Sequence, residues 1–480
     1  MLQYIPRKNV EPYTRGGCTI MNLGEYAQSL EPQILQSIQE SIRIPSVEGP
    51  AKEGMPFGEG VAKALEHALK TAASMGFRTV NLDGMIGYAE YGEGEEMIAI
   101  LGHLDVVPEG EGWSHPPYGG EIHEGILYGR GVLDNKGPIL GALWGLKAIK
   151  DLGLSLRRRV RIIFGTNEES GMKGAAYYAQ HEEHPLMGFT PDAEYPIINV
   201  EKGGLGIRAA IPFPEGSRVE ILELQGGTVV NAVPEEASLR IALPEDLRNV
   251  DALLGTLGAE HSWRIRAEQR GNILSLTTKG KSAHGSTPEL GENAIFRLFT
   301  LLGNLNTRDP LFELFQKLGE LLEDTRGEKL HIATEDAISG KLSCNLGLLS
   351  WKEGKIILTF DIRHPVTADP SEVVQELKES LEPLGFSLET IKQNPPVHVP
   401  ADSELVRTLQ RVYERETGEK ATLLAIGGGT YAKSMPNIVA FGPIFPGDPH
   451  VIHQADERCP VSRLMESIRI TAAAIHELAG

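Results

Sequence analysis

The chain has 480 residues with a hydrophobic fraction of 41%, enough apolar material for globular cores in a length that one core rarely organises, so two or more domains are expected. With 65 acidic against 46 basic residues the formal charge is -19, a field that repels phosphate backbones and anionic membrane surfaces and excludes nucleic-acid and membrane partners from the expectations. Cys18, Cys344 and Cys459 are odd in number and far apart, which argues against a disulfide framework or a cysteine-rich zinc site and fits a reducing, cytoplasmic environment.

Residues 1–22 open with MLQYIPRKNVEPYTRGG, polar and without period, lacking the apolar core of a secretory signal. They are expected to be a disordered or non-native extension, with Met21 as the true start. No apolar stretch approaches the ~20 residues of a membrane span. From Leu23 the run EYAQSLEPQILQSIQESIRI has helical period. Between about 60 and 200, helical patterns (VAKALEHALKTAASMG, PILGALWGLKAIKDLG, GMKGAAYYAQHE) alternate with short apolar runs (MIAILG, RVRIIFG, PIINVE). That alternation predicts an α/β domain with a mixed, largely parallel sheet flanked by helices.

Ligands of such sheets gather at the carboxyl ends of the strands. After MIAILG come His103 and Asp105, placed on one side by the period of two in extended chain. Asp134 follows GILYGRGVL, Glu168 and Glu169 follow RVRIIFGTN, Asp192 shortly precedes PIINVE, and His450 and His453 lie in the late segment HVIHQADE. A single such residue is usually a cap or turn. Imidazole and carboxylates at consecutive strand ends instead make a site for hard-to-borderline divalent ions.

The segments ILGHLDVVPEGEGWSHPPYGGEIHEGILYGRGVLDNKGP and FGTNEESG resemble the dinuclear metallopeptidase family of aminoacylases, carnosinases and bacterial dipeptidases, and most nearly its bacterial dipeptidase branch. The resemblance runs from about Leu23 to the C-terminus. It implies one metal on His103 and Asp192, a second on Glu169 and His453, Asp134 bridging them, and Glu168 as general base. Asp105 is implied as the partner that fixes the His103 ring through its other nitrogen. The resemblance also implies a cis peptide between Asp134 and Asn135. His453 rather than His450 aligns with the family's HQADE tail, while His115 and His123 have no motif behind them and are read as surface residues.

The middle, 201–395, mixes strand patterns (VEILEL, EEASLRIAL, NILSLTTKG, KIILTFDIR) with helices at NAIFRLFTLLGNL and PSEVVQELKESL. It reads as an α+β insertion between catalytic parts 23–200 and 396–480, where the family carries a lid long enough in this branch to imply a monomer. GKSAHGSTPELGENA matches the lid motif and nominates His284 as an oxyanion donor, with Asn231 of GGTVVNAVPEEA beside it. Arg363 of FDIRHP suits a substrate carboxylate, and the amides of Gly427, Gly428 and Gly429 are implied in binding the same group.

The expectation is therefore a cytoplasmic, two-metal dipeptidase, with zinc first and manganese or cobalt as alternatives, hydrolysing unblocked dipeptides by attack of a metal-bridging hydroxide. A related amidohydrolase deacylating N-acyl amino acids is the first alternative. A binding protein that merely keeps the fold is the second, against which the retained Glu168 and full ligand set argue.

Overall fold

The computed structural model describes residues 21–480 except 248, 249 and 306, together with the paired residues 14–15 and 18–19; the rest of the N-terminal extension lies outside the described residues. The chain divides into two compact units. The first comprises residues up to Asn199, Val399–Leu424 and Thr430–Gly480, and the second comprises Val200–His398 with Ala425–Gly429.

In the first unit the strands Met97–His103 and Arg159–Gly165 are buried along nearly their whole length, as continuous apolar runs between helical layers should be. They pair in parallel, with His103 opposite Gly165. Met187–Thr190 adds in parallel on the other side, followed by Ile438–Ala440, also parallel. Ile86–Tyr91 and Arg78–Leu82 extend the opposite flank in antiparallel pairing, and Ile198 pairs antiparallel with Ala440. The sheet is thus parallel inside and antiparallel at its margins.

The apolar stripe from Glu31 to Ile42 forms a helix, but the expected single helix from Leu23 is two, Leu23–Ser29 and Glu31–Ile42, broken at Leu30. Pro32 explains the break, because its ring has no N–H to continue the ladder and suits a helix's first turn. Asn22 and Glu25 close a capping box at the first of them. Helix Lys136–Asp151 presents Gly141 and Gly145 to helix Val461–Ala479. A Cβ at Gly141 would lie 2.6 Å from Ile468 Cγ1, so the missing side chains set how closely these helices approach.

The second unit is an eight-stranded antiparallel sheet in the order Ile265–Arg270, Ile273–Lys279, Glu236–Ala242, Glu220–Gly226, Ser343–Lys352, Lys355–His364, Gly203–Pro212, Ser387–Asn394. Glu236–Ala242 alternates exposed and buried positions, so one face carries the core. Helices Ala294–Gly303 and Pro310–Leu321 add apolar faces to that core, with Phe299 and Phe315 stacked at 5.2 Å.

Segment 396–480 is not continuous in the first unit, because Ala425–Gly429 groups with the second. Lys202 N donates to Ile426 O at 2.9 Å and Arg363 Nη1 to Gly427 O at 3.2 Å, which fastens the glycine run there. No helix among the described residues is long and apolar enough to cross a membrane.

Candidate active site

His103 ends its strand fully buried, and Glu168 lies three residues beyond Gly165, its register partner. Asp192 follows the neighbouring parallel strand, so the shared strand direction delivers all three to one sheet edge. Asp134 arrives differently. The run before it does not enter the main sheet: Glu121–His123 and Ile126–Tyr128 form a hairpin that joins Arg458–Pro460 in a separate three-stranded sheet, and Asp134 sits on the loop from there into helix Lys136–Asp151. The peptide between Asp134 and Asn135 is cis.

His103 Nε2 lies 2.9 Å from Asp134 Oδ1 and 3.5 Å from Asp192 Oδ1. His453 Nε2 lies 2.9 Å from Asp134 Oδ2 and 3.2 Å from Glu169 Oε1. Asp134 therefore turns one oxygen to each imidazole. His103, Glu168 and Asp192 place donor atoms within 4.8 Å of one another, as do His103, Asp134 and Glu169. His450 stands apart, highly exposed, with Nδ1 3.6 Å from Glu194.

Asp105 differs from the expectation in one respect. Its main-chain carbonyl, not its carboxylate, accepts from His103 Nδ1 at 2.8 Å, while the nearer carboxylate oxygen is 3.6 Å away. That bond puts a proton on Nδ1, and Nε2 is the nitrogen that faces Asp134 and Asp192. The Asp105 carboxylate instead accepts from the amides of Glu168 at 3.2 Å and Glu169 at 3.1 Å, and so sets the backbone that carries both glutamates.

Burial pushes the Glu168 carboxyl well above the ordinary range, and the Asp192 charge adds to the shift. Burial likewise raises Asp192 to about 7, with Asp134 and Glu169 adding to the push against the pull of His103. For Asp134, burial is outweighed by hydrogen bonds from His103 and His453, which hold it below its usual value. Burial disfavours charge on both imidazoles, yet the surrounding carboxylates raise His103 well above normal and His453 to about 10. Carboxylates outnumber cationic partners here, and two imidazole nitrogens point among them. That donor set fits divalent cations, with mixed N/O donors that suit zinc, manganese or cobalt.

Three residues with no role at the site in the sequence reading complete the surroundings. Glu457 is fully buried and accepts from Arg130 Nη1 at 2.8 Å, Leu133 N at 2.9 Å, Gly131 N at 3.2 Å and Asp134 N at 3.3 Å. It thereby holds the loop that presents Asp134. Asn135 receives the His103 amide and donates to Pro191 O at 2.6 Å, tying the strand end to the turn before Asp192. The Tyr431 and His103 rings meet edge to face with centroids 6.2 Å apart, and a Cβ at Gly165 would collide with the Tyr431 phenol. The sequence signal for Glu457 was its place in the HQADE tail, two residues after Ala455 in a motif otherwise read for its histidine.

Within the second unit the nominated residues converge on one another. His284 bridges Ala232 across a β-bridge, and Gly285 N donates to Asn231 O at 2.7 Å. Ser286 N donates to His284 Nδ1 at 3.2 Å and the Ser286 hydroxyl lies 2.7 Å from the same nitrogen, so Nδ1 is engaged by Ser286. The Arg363 fork is engaged by Asp361, Nε to Oδ1 at 2.8 Å and Nη2 to Oδ2 at 3.1 Å, and Nη1 donates to Gly427 O, so at most one N–H on each terminal nitrogen remains for another acceptor. A Cβ on Gly427 would sit 2.5 Å from Ser286 Cβ, a contact that requires glycine, whereas Gly428 has ordinary room; Gly429 continues the same run into Thr430.

A family model described as peptidase family M20/M25/M40 matches residues 99–477. The chain is 42% identical over 453 residues to the Putative dipeptidase YtjP of Bacillus subtilis (strain 168), covering 93% of this chain and 97% of that protein. It is 33% identical to the Beta-Ala-Xaa dipeptidase of Lactobacillus delbrueckii subsp. lactis, covering 95% and 98%. Human carnosine dipeptidase 1 has a similar fold, with TM-score 0.57 at 17% identity over 95% of this chain and 98% of that one. A tripeptidase from Staphylococcus aureus matches with TM-score 0.56 at 16% identity over 94% and 98%. Matched over most of its length by the family model and nearly end to end by these relatives, the chain belongs to peptidase family M20/M25/M40 and is a peptidase of that family.

Proposed function

We propose that the protein is a metal-dependent dipeptidase that cleaves unblocked dipeptides. The observation that carries this reading is the division of the Asp134 carboxylate between His103 and His453 at 2.9 Å each, the arrangement a shared ligand of two ions needs. In this reading His103 and Asp192 complete one ion's protein ligands, and Glu169 and His453 the other's. The ions, when bound, polarise the scissile carbonyl and lower the pKa of the attacking water.

Glu168 is the general base. Its carboxyl takes the water's proton and returns it to the leaving amine. The Asp105 bonds to the amides of Glu168 and Glu169 keep the two side chains in separate roles. His284 Nε2–H donates to the oxyanion, with Asn231 beside it, and Arg363 with the amides of Gly427, Gly428 and Gly429 holds the substrate's C-terminal carboxylate. Two relatives named as dipeptidases, one for β-alanyl substrates, support the substrate class.

The test is hydrolysis of Leu-Leu, Ala-His, β-Ala-His, Leu-Leu-Leu and N-acetyl-leucine by metal-stripped protein reloaded separately with zinc and manganese. Cleavage is expected for the unblocked dipeptides, dependent on added metal, and reduced by at least ~10²-fold in Glu168→Ala. Preferential cleavage of N-acetyl-leucine would instead assign the protein to deacylation, and full activity of Glu168→Ala would remove Glu168 from its role.

A further inference from the structure

A second imidazole–carboxylate cluster lies on the small three-stranded sheet of the first unit. Glu121 and His123 alternate on one exposed face of strand Glu121–His123, and His115 reaches the same spot from the loop before it. Donor atoms of His115, Glu121 and His123 lie within 4.8 Å of one another, and none of these residues belongs to the strand-end cluster.

The cluster is held rather than incidental. Asp456 accepts from Ser114 N at 2.8 Å, Ser114 Oγ at 2.6 Å and His115 N at 3.2 Å, which fixes the backbone that carries His115. The Tyr128 ring packs 4.0 Å from the His115 ring, and the two imidazoles lie 4.6 Å apart at 31°. Tyr128 is the register partner of Glu121 in the hairpin, and His123 Nε2 is 2.8 Å from Glu121 Oε2.

We propose that His115, Glu121 and His123 form an auxiliary site for a borderline divalent cation of the zinc class. Two imidazoles and one carboxylate with open positions are a donor set that such ions take. A tetrahedral ion ~2.1 Å from each donor spaces the donors ~3.4 Å apart, so a closure of at most ~1.4 Å from the present spread suffices. His123 and Glu121 are each about half exposed, at 48% and 45%, and can make that movement by side-chain rotation. The formal charge of -19 raises the local concentration of cations around such a site. A bound ion would replace the direct His123–Glu121 contact and staple the loop at His115 to the hairpin.

The experiment compares the full-length protein with His115→Gln, Glu121→Gln and His123→Gln. Each is dialysed against the same series of buffered free zinc concentrations, up to about 1 mM, and zinc per chain is measured by mass spectrometry. The wild type is expected to carry one zinc per chain more than every variant over part of that range, with peptide hydrolysis unchanged. Copper(II), added to protein dialysed at a free zinc concentration too low to fill this site, is expected to give an electron paramagnetic spectrum with two-nitrogen coupling that falls to one nitrogen in His115→Gln. Equal zinc content in wild type and variants at every concentration would overturn the site. Failure of the dipeptidase reading would leave these stoichiometries untouched, because they are counted independently of turnover.

Discussion

Glu457 offers the sharpest test of how the protein supports its site, because it holds the loop that carries Asp134 without belonging to the strand-end cluster. Its carboxylate and the Arg130 guanidinium are both essentially inaccessible, at 0% and 1%. Replacing Glu457 by leucine leaves a buried guanidinium with carbonyl acceptors, Glu109 O at 3.2 Å among them, but without its carboxylate, a loss that costs about 3–5 kcal/mol. It also orphans the amides of Gly131, Leu133 and Asp134, at ~1–3 kcal/mol for any that water does not reach. The double change Arg130→Met with Glu457→Leu removes the lone charge and should recover much of the first loss, but not the amide term. Urea unfolding of metal-stripped protein separates these contributions from metal binding. Trp263→Phe and Trp351→Phe silence the second unit, so that Trp113 and Trp144 report the first. A loss below about 1 kcal/mol for Glu457→Leu, or a double variant no more stable than the single, would refute the account. In the folded protein Glu457→Gln should also weaken metal binding by about 10–100-fold, as loss of an outer-shell partner does.

Three further outcomes follow from the second unit. His284→Ala should lower kcat by about 10²–10³-fold with KM little changed, measured on the best dipeptide. Arg363→Lys, which cannot reproduce the fork on Asp361, should raise KM by about 10–100-fold, equal to one or so charged hydrogen bonds. Asp336 is pulled down to about 2: burial opposes the shift, but the amides of Ser339 and Thr367 and their hydroxyls hold the ionised form. A depressed carboxyl stabilises the fold above its ordinary value of 3.8, and that contribution is lost as pH falls through about 2. The acid limb of the second unit's unfolding should therefore steepen across that window in the wild type and flatten in Asp336→Asn.

The sequence discloses the interior of the first unit well because its strands are buried on both faces. MIAILG and RVRIIFG are uninterrupted apolar runs, and the charged residues that follow them must lie at their ends. Asp134 shows the limit of that logic. Its preceding hairpin has an exposed first strand and a short second one, and nothing in GILYGRGVL distinguishes a separate small sheet from the main one. In the second unit, Gly203–Pro212 escapes a propensity reading because glycine is depleted in strands, yet a Cβ at Gly203 would collide with the His364 ring across the ladder. Ser387–Asn394 escapes it for another reason, being an edge strand with most positions exposed and polar. Glu457 and Asp456 were present in a quoted motif, but their work is done through backbone amides distant in sequence, which no local pattern encodes.

Because Ala425–Gly429 groups with Val200–His398 while its flanks belong elsewhere, the second unit is assembled from two lengths of chain. No single excision or graft can transfer it whole. A fragment cut at 200 and 398 would lack the carbonyl that Arg363 Nη1 bonds and the partner of the Lys202 amide. Exchange of this unit between relatives, by recombination or in the laboratory, must therefore carry both pieces from the same parent.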